Sequence, residues 1–223
     1  IRLRIRPDLV RAAAAWIMVL GVIFSVYYVI THFKPAAPPA QSIYSLKENP
    51  TGQKSRLYLS DGSVVTLNAG SRLSYAKPFG DSVRHLRLTG EAFFEVAKDS
   101  NRPFVVDVQG LRVIALGTAF NISAYEEDVS RTVALREGSV SVAYDGKEQV
   151  LSPGQAADVG GQGGQITIYQ ADVHALCAWA DGELVLDNLR FEEIVLKLER
   201  WYGVEIQVQG NISKDKAFKG GRF

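Results

Sequence analysis

Two glutamates, Glu91 and Glu95, have the spacing that first suggests acid–base chemistry in this sequence. Glycosidases use paired carboxylates that stand about 5–10 Å apart. In a strand, residues four apart lie on the same face with roughly 13 Å between them, which is too far for a retaining glycosidase unless a turn brings them closer. Neither a G-x-S-x-G nor an H-E-x-x-H motif is present. We therefore expect that the chain is not a conventional enzyme.

The dipeptide Gly117–Thr118 is a second candidate for chemistry. A threonine hydroxyl lies next to the preceding carbonyl, and glycine permits the strained backbone in which that oxygen attacks and the acyl group moves from nitrogen to oxygen. The resulting ester would hydrolyse and cut the chain. The alternative interpretation is structural, since a glycine in a strand can mark a bulge or a close strand crossing.

Metal and cofactor chemistry has little basis in the sequence. Cys177 is the single cysteine, which excludes an internal disulfide framework, and His32, His85 and His174 are isolated from one another. We expect neither a metal site nor a cofactor. The net charge is only +1, with no acidic or basic tail beyond a short arginine cluster, so nucleic acid is not an expected partner.

These residues must be placed relative to one uncharged stretch, residues 12–30, whose only strongly polar side chain is Ser25. At about 1.5 Å per helical residue it covers roughly 28 Å, close to the ~30 Å hydrocarbon core of a bilayer. A secretory signal is the alternative, but the apolar run is long for one and no small-residue cleavage site follows it. We predict a retained transmembrane helix over residues 12–33.

The charges that flank this span set its orientation. The four arginines that precede it are Arg2, Arg4, Arg6 and Arg11. On the other side, Lys34 is the one lysine or arginine that stands immediately after the span. Cytoplasmic flanks carry the excess of Lys and Arg, so residues 1–11 are predicted to be cytoplasmic and the rest of the chain to lie across the membrane. The chain is therefore expected to be a single-pass protein with an exported body.

A proline-rich linker at residues 34–41 leads into short runs rich in Val, Leu, Tyr and Phe, separated by Asp-Gly, Pro-Gly and Gly-Gly turn signals. Leu86 and Leu88 alternate with Arg87, a pattern that gives a strand one buried face. Residues 42–170 are therefore predicted to be an all-β domain in a mainly β protein. Many short, evenly spaced strands suit either a sandwich or a short solenoid-like stack, and we favour an open, stacked arrangement.

Residues 171–223 follow a different pattern. Apolar residues recur there at helical spacing and predict one amphipathic helix that ends at Gly203; they are Phe191, Ile194, Val195, Leu198 and Trp201. Strand-like runs at 183–187 and 204–208 flank the helix, which predicts a small, separate β-α-β subdomain. Too little sequence follows to bury both faces of such a unit, and we expect a truncated domain.

A short sheet of that kind leaves edges with unpaired backbone donors and acceptors, and edge pairing is one way to bind another small domain. The second run is the candidate partner-binding edge strand, formed by Val204, Glu205, Ile206, Gln207 and Val208. The apolar face of the helix is predicted to be core rather than a contact surface.

Seven segments resemble the FecR family of transmembrane anti-sigma regulators. Five of them lie in the predicted β domain: LSDGSVVTLNAGSRLSY (Leu59–Tyr75), LTGEAFFEVAKDSNRPFVV (Leu88–Val106), ALGTAFNISAY (Ala115–Tyr125), LREGSV (Leu135–Val140) and LSPGQ (Leu151–Gln155). Two more, WADGELVLDN (Trp179–Asn188) and LERWYGVEI (Leu198–Ile206), resemble the carboxy-terminal extension of the same family. The resemblance covers most of the exported part.

The resemblance implies an inner-membrane protein with a periplasmic body. That body would sense the amino-terminal signalling domain of a TonB-dependent outer-membrane transporter, while a cytoplasmic segment would hold an extracytoplasmic-function sigma factor. The family's sigma-binding helices would precede Ile1, and since the chain does not open with Met, we expect natural sequence before it. Regulated proteolysis by periplasmic and intramembrane proteases is the expected transmission step.

Some members of the family are cleaved in the periplasmic region, and the resemblance places Gly117–Thr118 at a corresponding strand start. This dipeptide is therefore the candidate self-cleavage site. A different class of function stays open, namely a structural or binding module that is tethered to the membrane and has no signalling role. A pull-down that recovers neither a transporter nor a sigma factor would favour that class.

Overall fold

The structure is a computed structural model that describes residues 24, 43–77, 79–80, 83–128, 130–160, 164–209, 217–218 and 220–223. The chain divides into two compact units, residues 1–41 and 42–223. The predicted transmembrane helix, its cytoplasmic flank and the linker lie outside the described residues, apart from Phe24. Within the described part, no helix combines the length and the apolar character needed to cross a membrane.

Thirteen strands between residues 43 and 170 are joined in one branched sheet. They are β1 (Ile43–Glu48), β2 (Ser55–Tyr58), β3 (Val64–Leu67), β4 (Arg72–Lys77), β5 (Arg84–Glu95), β6 (Phe104–Val108), β7 (Leu111–Ala115), β8 (Ala119–Ala124), β9 (Ser130–Glu137), β10 (Val140–Tyr144), β11 (Lys147–Leu151), β12 (Gln155–Gly160) and β13 (Gln165–Gln170). Their side chains alternate as a half-buried sheet requires: in β7, Leu111 and Val113 are buried and Arg112 is exposed. The prediction of a mainly β fold is confirmed.

The long strand β5 belongs to two half-sheets. Its first part pairs with β4 and, in parallel, with β6, whereas its second part pairs with β3 and β8. Half-sheet A therefore runs β1-β4-β5-β6-β7-β10-β11, and half-sheet B runs β2-β3-β5-β8-β9-β12-β13. The partners change around Gly90, whose φ of +89° favours glycine. At this point the Ser71 hydroxyl accepts a hydrogen bond from the Glu91 N–H at 2.8 Å, which satisfies a backbone donor.

The two half-sheets face each other across one hydrophobic core, to which Leu86 and Phe104 contribute from half-sheet A and Leu135 from half-sheet B. The rings of Phe94 and Phe120 stack there with centroids 5.0 Å apart. At the far end, β11 of half-sheet A lies close to β12 and β13, so the sheet is nearly closed. The arrangement is sandwich-like. The expected open stack is wrong, because β5 runs through both half-sheets and brings their apolar faces together.

A charged side chain, Arg84, lies at the edge of this core with none of its surface exposed. Its Nη1 atom lies 3.0 Å from the Asp61 carboxylate and donates to the Ala97 carbonyl at 2.8 Å. The other guanidinium nitrogens donate to the carbonyls of Arg102 and Asp99. A buried ion pair is tolerated only when hydrogen bonds satisfy the remaining donors. Arg84 therefore ties β5 to the turn at Asp61 and to the loop before β6.

After β13 the chain packs on the outer face of half-sheet B. A short helix, α1 (Val173–Cys177), continues into a 3-10 turn (Ala178–Asp181). A second, smaller apolar cluster forms between these elements and the sheet; it includes Val173, Cys177, Trp179, Phe93 and Ala134. The outer face of half-sheet B is thus covered where it is apolar.

The last elements are β14 (Leu189–Arg190), α2 (Phe191–Tyr202) and β15 (Ala217–Phe218). The predicted amphipathic helix is present and ends at Gly203, which adopts a left-handed φ of 67°. The two predicted flanking strands are wrong: residues 183–187 form an antiparallel bridge at Val185 with a few backbone hydrogen bonds to residues 221–223 but no strand, and residues 204–208 form no strand. A strand needs a paired neighbour, and β14 pairs with β15 instead.

Replacing Gly90 with alanine should destabilise the protein strongly. The new Cβ would lie 2.4 Å from the Ser71 hydroxyl oxygen and 2.9 Å from the Ser71 Cα, at a φ of +89°. Backbone strain and overpacking together predict a loss of about 2–5 kcal/mol, measurable by urea unfolding. Gly182→Ala is the matched control, because Gly182 has a φ of +93° but its new Cβ would meet no atom within 4 Å. Equal losses in the two variants would contradict a role for the contact with Ser71.

Candidate functional site

A cleft of about 320 Å³, lined by both polar and apolar side chains, lies between the outer face of half-sheet B and α2. Its floor includes outward side chains of β5, β8 and β9: Glu91, Asn121, Ser123, Ser130 and Thr132. Its roof includes residues of α2: Glu193, Leu196, Lys197, Arg200 and Trp201. Since the inward side chains of the same strands fill the sandwich core, strand alternation places these polar groups on the outer face.

Glu91 lies at the centre of the floor. Its two carboxylate oxygens accept hydrogen bonds from the side-chain amides of Asn68 at 2.7 Å and Asn121 at 2.9 Å. The indole N–H of Trp179 donates in turn to the Asn121 carbonyl oxygen at 3.2 Å. Burial raises the pKa of the Glu91 carboxyl above its usual range, while the hydrogen bonds and the nearby charge of Lys197 oppose that rise. The carboxylate is therefore held in a fixed orientation.

Glu95 does not join Glu91 in a catalytic pair. Its carboxylate lies 2.7 Å from the Arg56 guanidinium on the surface, so the two glutamates have separate partners. They share the outward face of β5, as the four-residue spacing predicts. A carboxylate that is tied to an exposed arginine is not placed for acid–base chemistry in the cleft.

Arg200 attaches the roof to the floor. Its guanidinium pairs with Asp128 at 2.5 Å and with Glu127 at 2.9 Å, and its central carbon lies 3.8 Å from the centre of the Tyr125 ring. Burial opposes the charged form of Arg200, but the bonds to Asp128 and Glu127 outweigh it and raise the pKa of the guanidinium. Partly buried, bidentate pairs of this kind hold better than exposed ones.

Two further contacts reinforce this attachment. The Lys54 ammonium lies 3.1 Å from the centre of the Trp201 ring and donates to the Trp179 carbonyl at 3.1 Å. Burial lowers the pKa of Lys54 to about 8, although Glu91 opposes the shift. The backbone N–H of Gly52 donates to the Arg200 carbonyl at 2.8 Å, which satisfies a carbonyl of the last turn of α2. These polar contacts therefore hold the helix together with the packing of Trp201 against the second apolar cluster.

The apolar stripe of α2 has contacts at both ends of the helix, since Trp201 lines the cleft and packs against the second apolar cluster. Phe191 packs against Phe218 of β15 with ring centroids 5.9 Å apart. No residue of α2 is fully buried, and the apolar residues of the stripe are only partly buried, so they are not core residues as predicted. Beyond the helix, Val204 is 51% exposed and Val208 is 46% exposed. Residues 204–208 are thus surface residues without the predicted strand, and the Ile206 N–H donates to the Glu199 carboxylate at 2.7 Å.

Gly117 and Thr118 stand immediately before β8. Gly117 has a φ of +151°, and a Cβ there would lie 2.8 Å from the Lys98 Cα, so only glycine fits. Thr118 is 7% exposed, and within the described residues its Oγ1 is the one buried side-chain nitrogen or oxygen without a hydrogen-bond partner. Gly138 packs against it, since a Cβ at Gly138 would lie 2.7 Å from the Thr118 Cγ2. The dipeptide is therefore confined between Lys98 and Gly138, and the Thr118 hydroxyl has no hydrogen-bond partner among the described residues.

The remaining reactive groups are placed away from the cleft or are buried. Burial raises the pKa of the Cys177 thiol to about 12, which makes it a poor nucleophile at neutral pH. His85 lies 2.6 Å from Asp107 on the surface of half-sheet A. In the described part of the chain, no three His, Cys, Asp or Glu side chains are grouped as metal ligands.

The sequence pointed to Glu91 but to none of its partners. Asn68 and Asn121 carry a signal that the strand pattern alone does not use: each is an amide within or directly after a mostly apolar strand run, VVTLNAG and AFNISAY. Such residues are buried only when they are hydrogen-bonded, so they mark polar contacts. Lys197 and Arg200 gave no signal, because charges on the polar side of an amphipathic helix normally face water.

Comparison with known proteins identifies the family. Residues 48–141 match the family described as FecR protein, and residues 183–222 match the family described as FecR, C-terminal. The cleft lies between these two parts. No curated protein matches the chain.

Two solved structures of a candidate anti-sigma factor from Parabacteroides distasonis ATCC 8503 are similar to the chain. The one at 2.50 Å resolution has a TM-score of 0.74 and 31% identity, and the match covers 80% of this chain and 84% of that one. The one at 1.65 Å has a TM-score of 0.74 and 32% identity, with 79% and 83% covered. The resemblance seen in the sequence is confirmed, and the chain belongs to the FecR family of anti-sigma regulators.

Proposed function

We propose that this anti-sigma regulator relays the state of a TonB-dependent outer-membrane transporter to a cytoplasmic extracytoplasmic-function sigma factor. The chain would cross the inner membrane once through residues 12–33, with residues 1–11 in the cytoplasm and the body in the periplasm. The excess of arginine before residue 12 supports this orientation. Periplasmic and intramembrane proteases would transmit the signal by cutting the chain.

The signalling domain of the transporter is proposed to dock on the carboxy-terminal part of the chain. The observation that carries this proposal is a group of exposed apolar side chains at the end of α2 and just after it: Tyr202 is 61% exposed, Val204 51% and Val208 46%. Apolar side chains that stay exposed beside a polar attachment are typical of an interaction surface. The β14–β15 pair also offers short strand edges to a partner sheet.

Polar substitutions in this surface should weaken docking. The double variant Val204→Ser/Val208→Ser is expected to bind the purified transporter domain about tenfold more weakly in calorimetry. The reason is that two serines bury less apolar surface in the complex than the two half-exposed valines do. Val150→Ser is the matched control, since Val150 is an exposed valine of β11. Unchanged affinity of the double variant would place the docking surface elsewhere, on residues 42–170.

We also propose that the chain cuts itself between Gly117 and Thr118. The Thr118 Oγ would attack the Gly117 carbonyl carbon, the peptide C–N bond would break, and the hydroxyl proton would pass to the released amine. Water would then hydrolyse the ester, leaving a carboxylate on Gly117 and a free amine and hydroxyl on Thr118. The free Thr118 hydroxyl and the glycine-only φ of Gly117 support this proposal.

A further inference from the structure

One pair of charges in the cleft takes no part in attaching α2 to the sheet. Glu91 on the floor and Lys197 on the roof both line the cleft, and their charges influence each other. Among the described residues, however, the two groups make no ion pair within 4.0 Å, and Lys197 makes no other. A carboxylate and an ammonium thus face the same small space without touching.

The neighbouring charges are already paired. Arg200 is bound by Glu127 and Asp128, and the Glu193 carboxylate lies 2.9 Å from the Arg190 guanidinium. Glu192, which also lines the cleft, is not free either. The charges that remain for a ligand are therefore Glu91 and Lys197, one of each sign, which disfavours a simple anion or a simple cation. Burial also lowers the pKa of Lys197, so the ammonium gains from any additional acceptor that enters the cleft.

The rest of the lining is mixed, since apolar side chains such as Leu176, Leu189 and Leu196 lie beside polar ones. The hydroxyl groups of Ser123 and Ser130 line the floor, and neither has a hydrogen bond to the described residues. A space with charges of both signs, hydroxyl groups and apolar walls suits a small molecule that combines charged groups with an apolar part. At about 320 Å³, the cleft has the size of a site for one small molecule.

We propose that the cleft binds a free amino acid. Its carboxylate would accept a hydrogen bond from the Lys197 ammonium, and its ammonium would donate to Glu91. Asn68 and Asn121 each use one acceptor position of the Glu91 carboxylate, and because a carboxylate has about four such positions, further ones remain for a ligand. Because Glu91 lies on β5 and Lys197 on α2, the bound amino acid joins the floor to the roof.

The test uses the full 223-residue chain, purified in detergent, with glycine, L-alanine, L-glutamine and L-lysine as probes in calorimetry. At least one of these should bind saturably. Lys197→Met and Glu91→Gln should each weaken that binding by about tenfold or more, as expected for loss of a charge-assisted hydrogen bond. Lys147→Met, which changes an exposed lysine of β11, should bind as the wild type does.

Thermal unfolding separates binding from folding. Lys197→Met should have a Tm at least equal to that of the wild type, because it removes a partly buried charge without an ion-pair partner among the described residues. The amino acid should raise the Tm of the wild type and leave that of Lys197→Met unchanged. The proposal fails if no probe binds, if acetate or methylammonium alone binds as tightly as the amino acids, or if Lys197→Met binds like the wild type.

Discussion

Arg84→Met is expected to lower the stability of the 42–223 unit by about 3–5 kcal/mol, which corresponds to a fall in Tm of roughly 6–20 °C. The Arg84 side chain is only 1% exposed and the Asp61 side chain only 2% exposed. Without Arg84, the carboxylate stays buried without its counter-charge, and three backbone carbonyls lose a donor. Methionine fills a similar volume, so the loss reports charge and hydrogen bonding rather than a cavity.

Two further variants show where this loss originates. Arg87→Met changes an exposed arginine three residues along the same strand and should alter stability by less than about 0.5 kcal/mol. Adding Asp61→Asn to Arg84→Met should restore part of the stability, because it removes the uncompensated charge while the amide oxygen can still accept from Ser63. If the double variant is no more stable than Arg84→Met, the buried charge is not the cause.

Thr118→Ala is expected to abolish cutting of the chain, whereas Thr118→Ser should retain part of it. Alanine removes the attacking oxygen, and serine keeps it. In the wild type, mass spectrometry in a denaturing solvent should find two fragments, residues 1–117 and 118–223. The Thr118 hydroxyl has no hydrogen bond to lose among the described residues, so Thr118→Ala should fold as stably as the wild type to within about 1 kcal/mol.

Thr66→Ala serves as the control for this experiment, since Thr66 lies in β3 away from the dipeptide. It should be cut like the wild type. Purified wild-type chain that stays whole after long incubation would reject self-cleavage. Cutting of Thr118→Ala at the same bond would point to an external protease instead.

The strands of the β domain could be predicted from the sequence because the local pattern of residues determines them. Turn signals and period-two alternation give the strands and their buried faces, as in Leu86 and Leu88 of β5. The same alternation places Arg84 on the buried face, but the pattern could not supply its partner: Asp61 is 23 residues away and meets it only through the fold. Pairing of this kind depends on topology, which the periodicity of single strands does not carry.

The structure of the carboxy-terminal part was harder to predict from the sequence, for a related reason. Periodicity identified α2, including its end at Gly203, yet gave two strands that do not form. Short runs such as 204–208 have strand-like composition, but whether they pair depends on a neighbour that is distant in sequence. The sequence also did not indicate that Arg200 attaches α2 to the sheet domain. Arg200 lies on the polar side of the helix, and that side of an amphipathic helix normally faces water.

The arrangement of strands gives a cut at residues 117–118 an unusual outcome. Strands β1–β7 precede the cut and β8–β13 follow it, yet β5 is hydrogen-bonded to β8 and β7 to β10. The stacked rings of Phe94 and Phe120 come from opposite fragments as well. A nicked molecule would therefore persist as a two-piece complex, whose lifetime is that of the whole sandwich. The two fragments would separate only when a second protease or a mechanical pull separates β5 from β8. The cut alone would therefore make release possible without causing it.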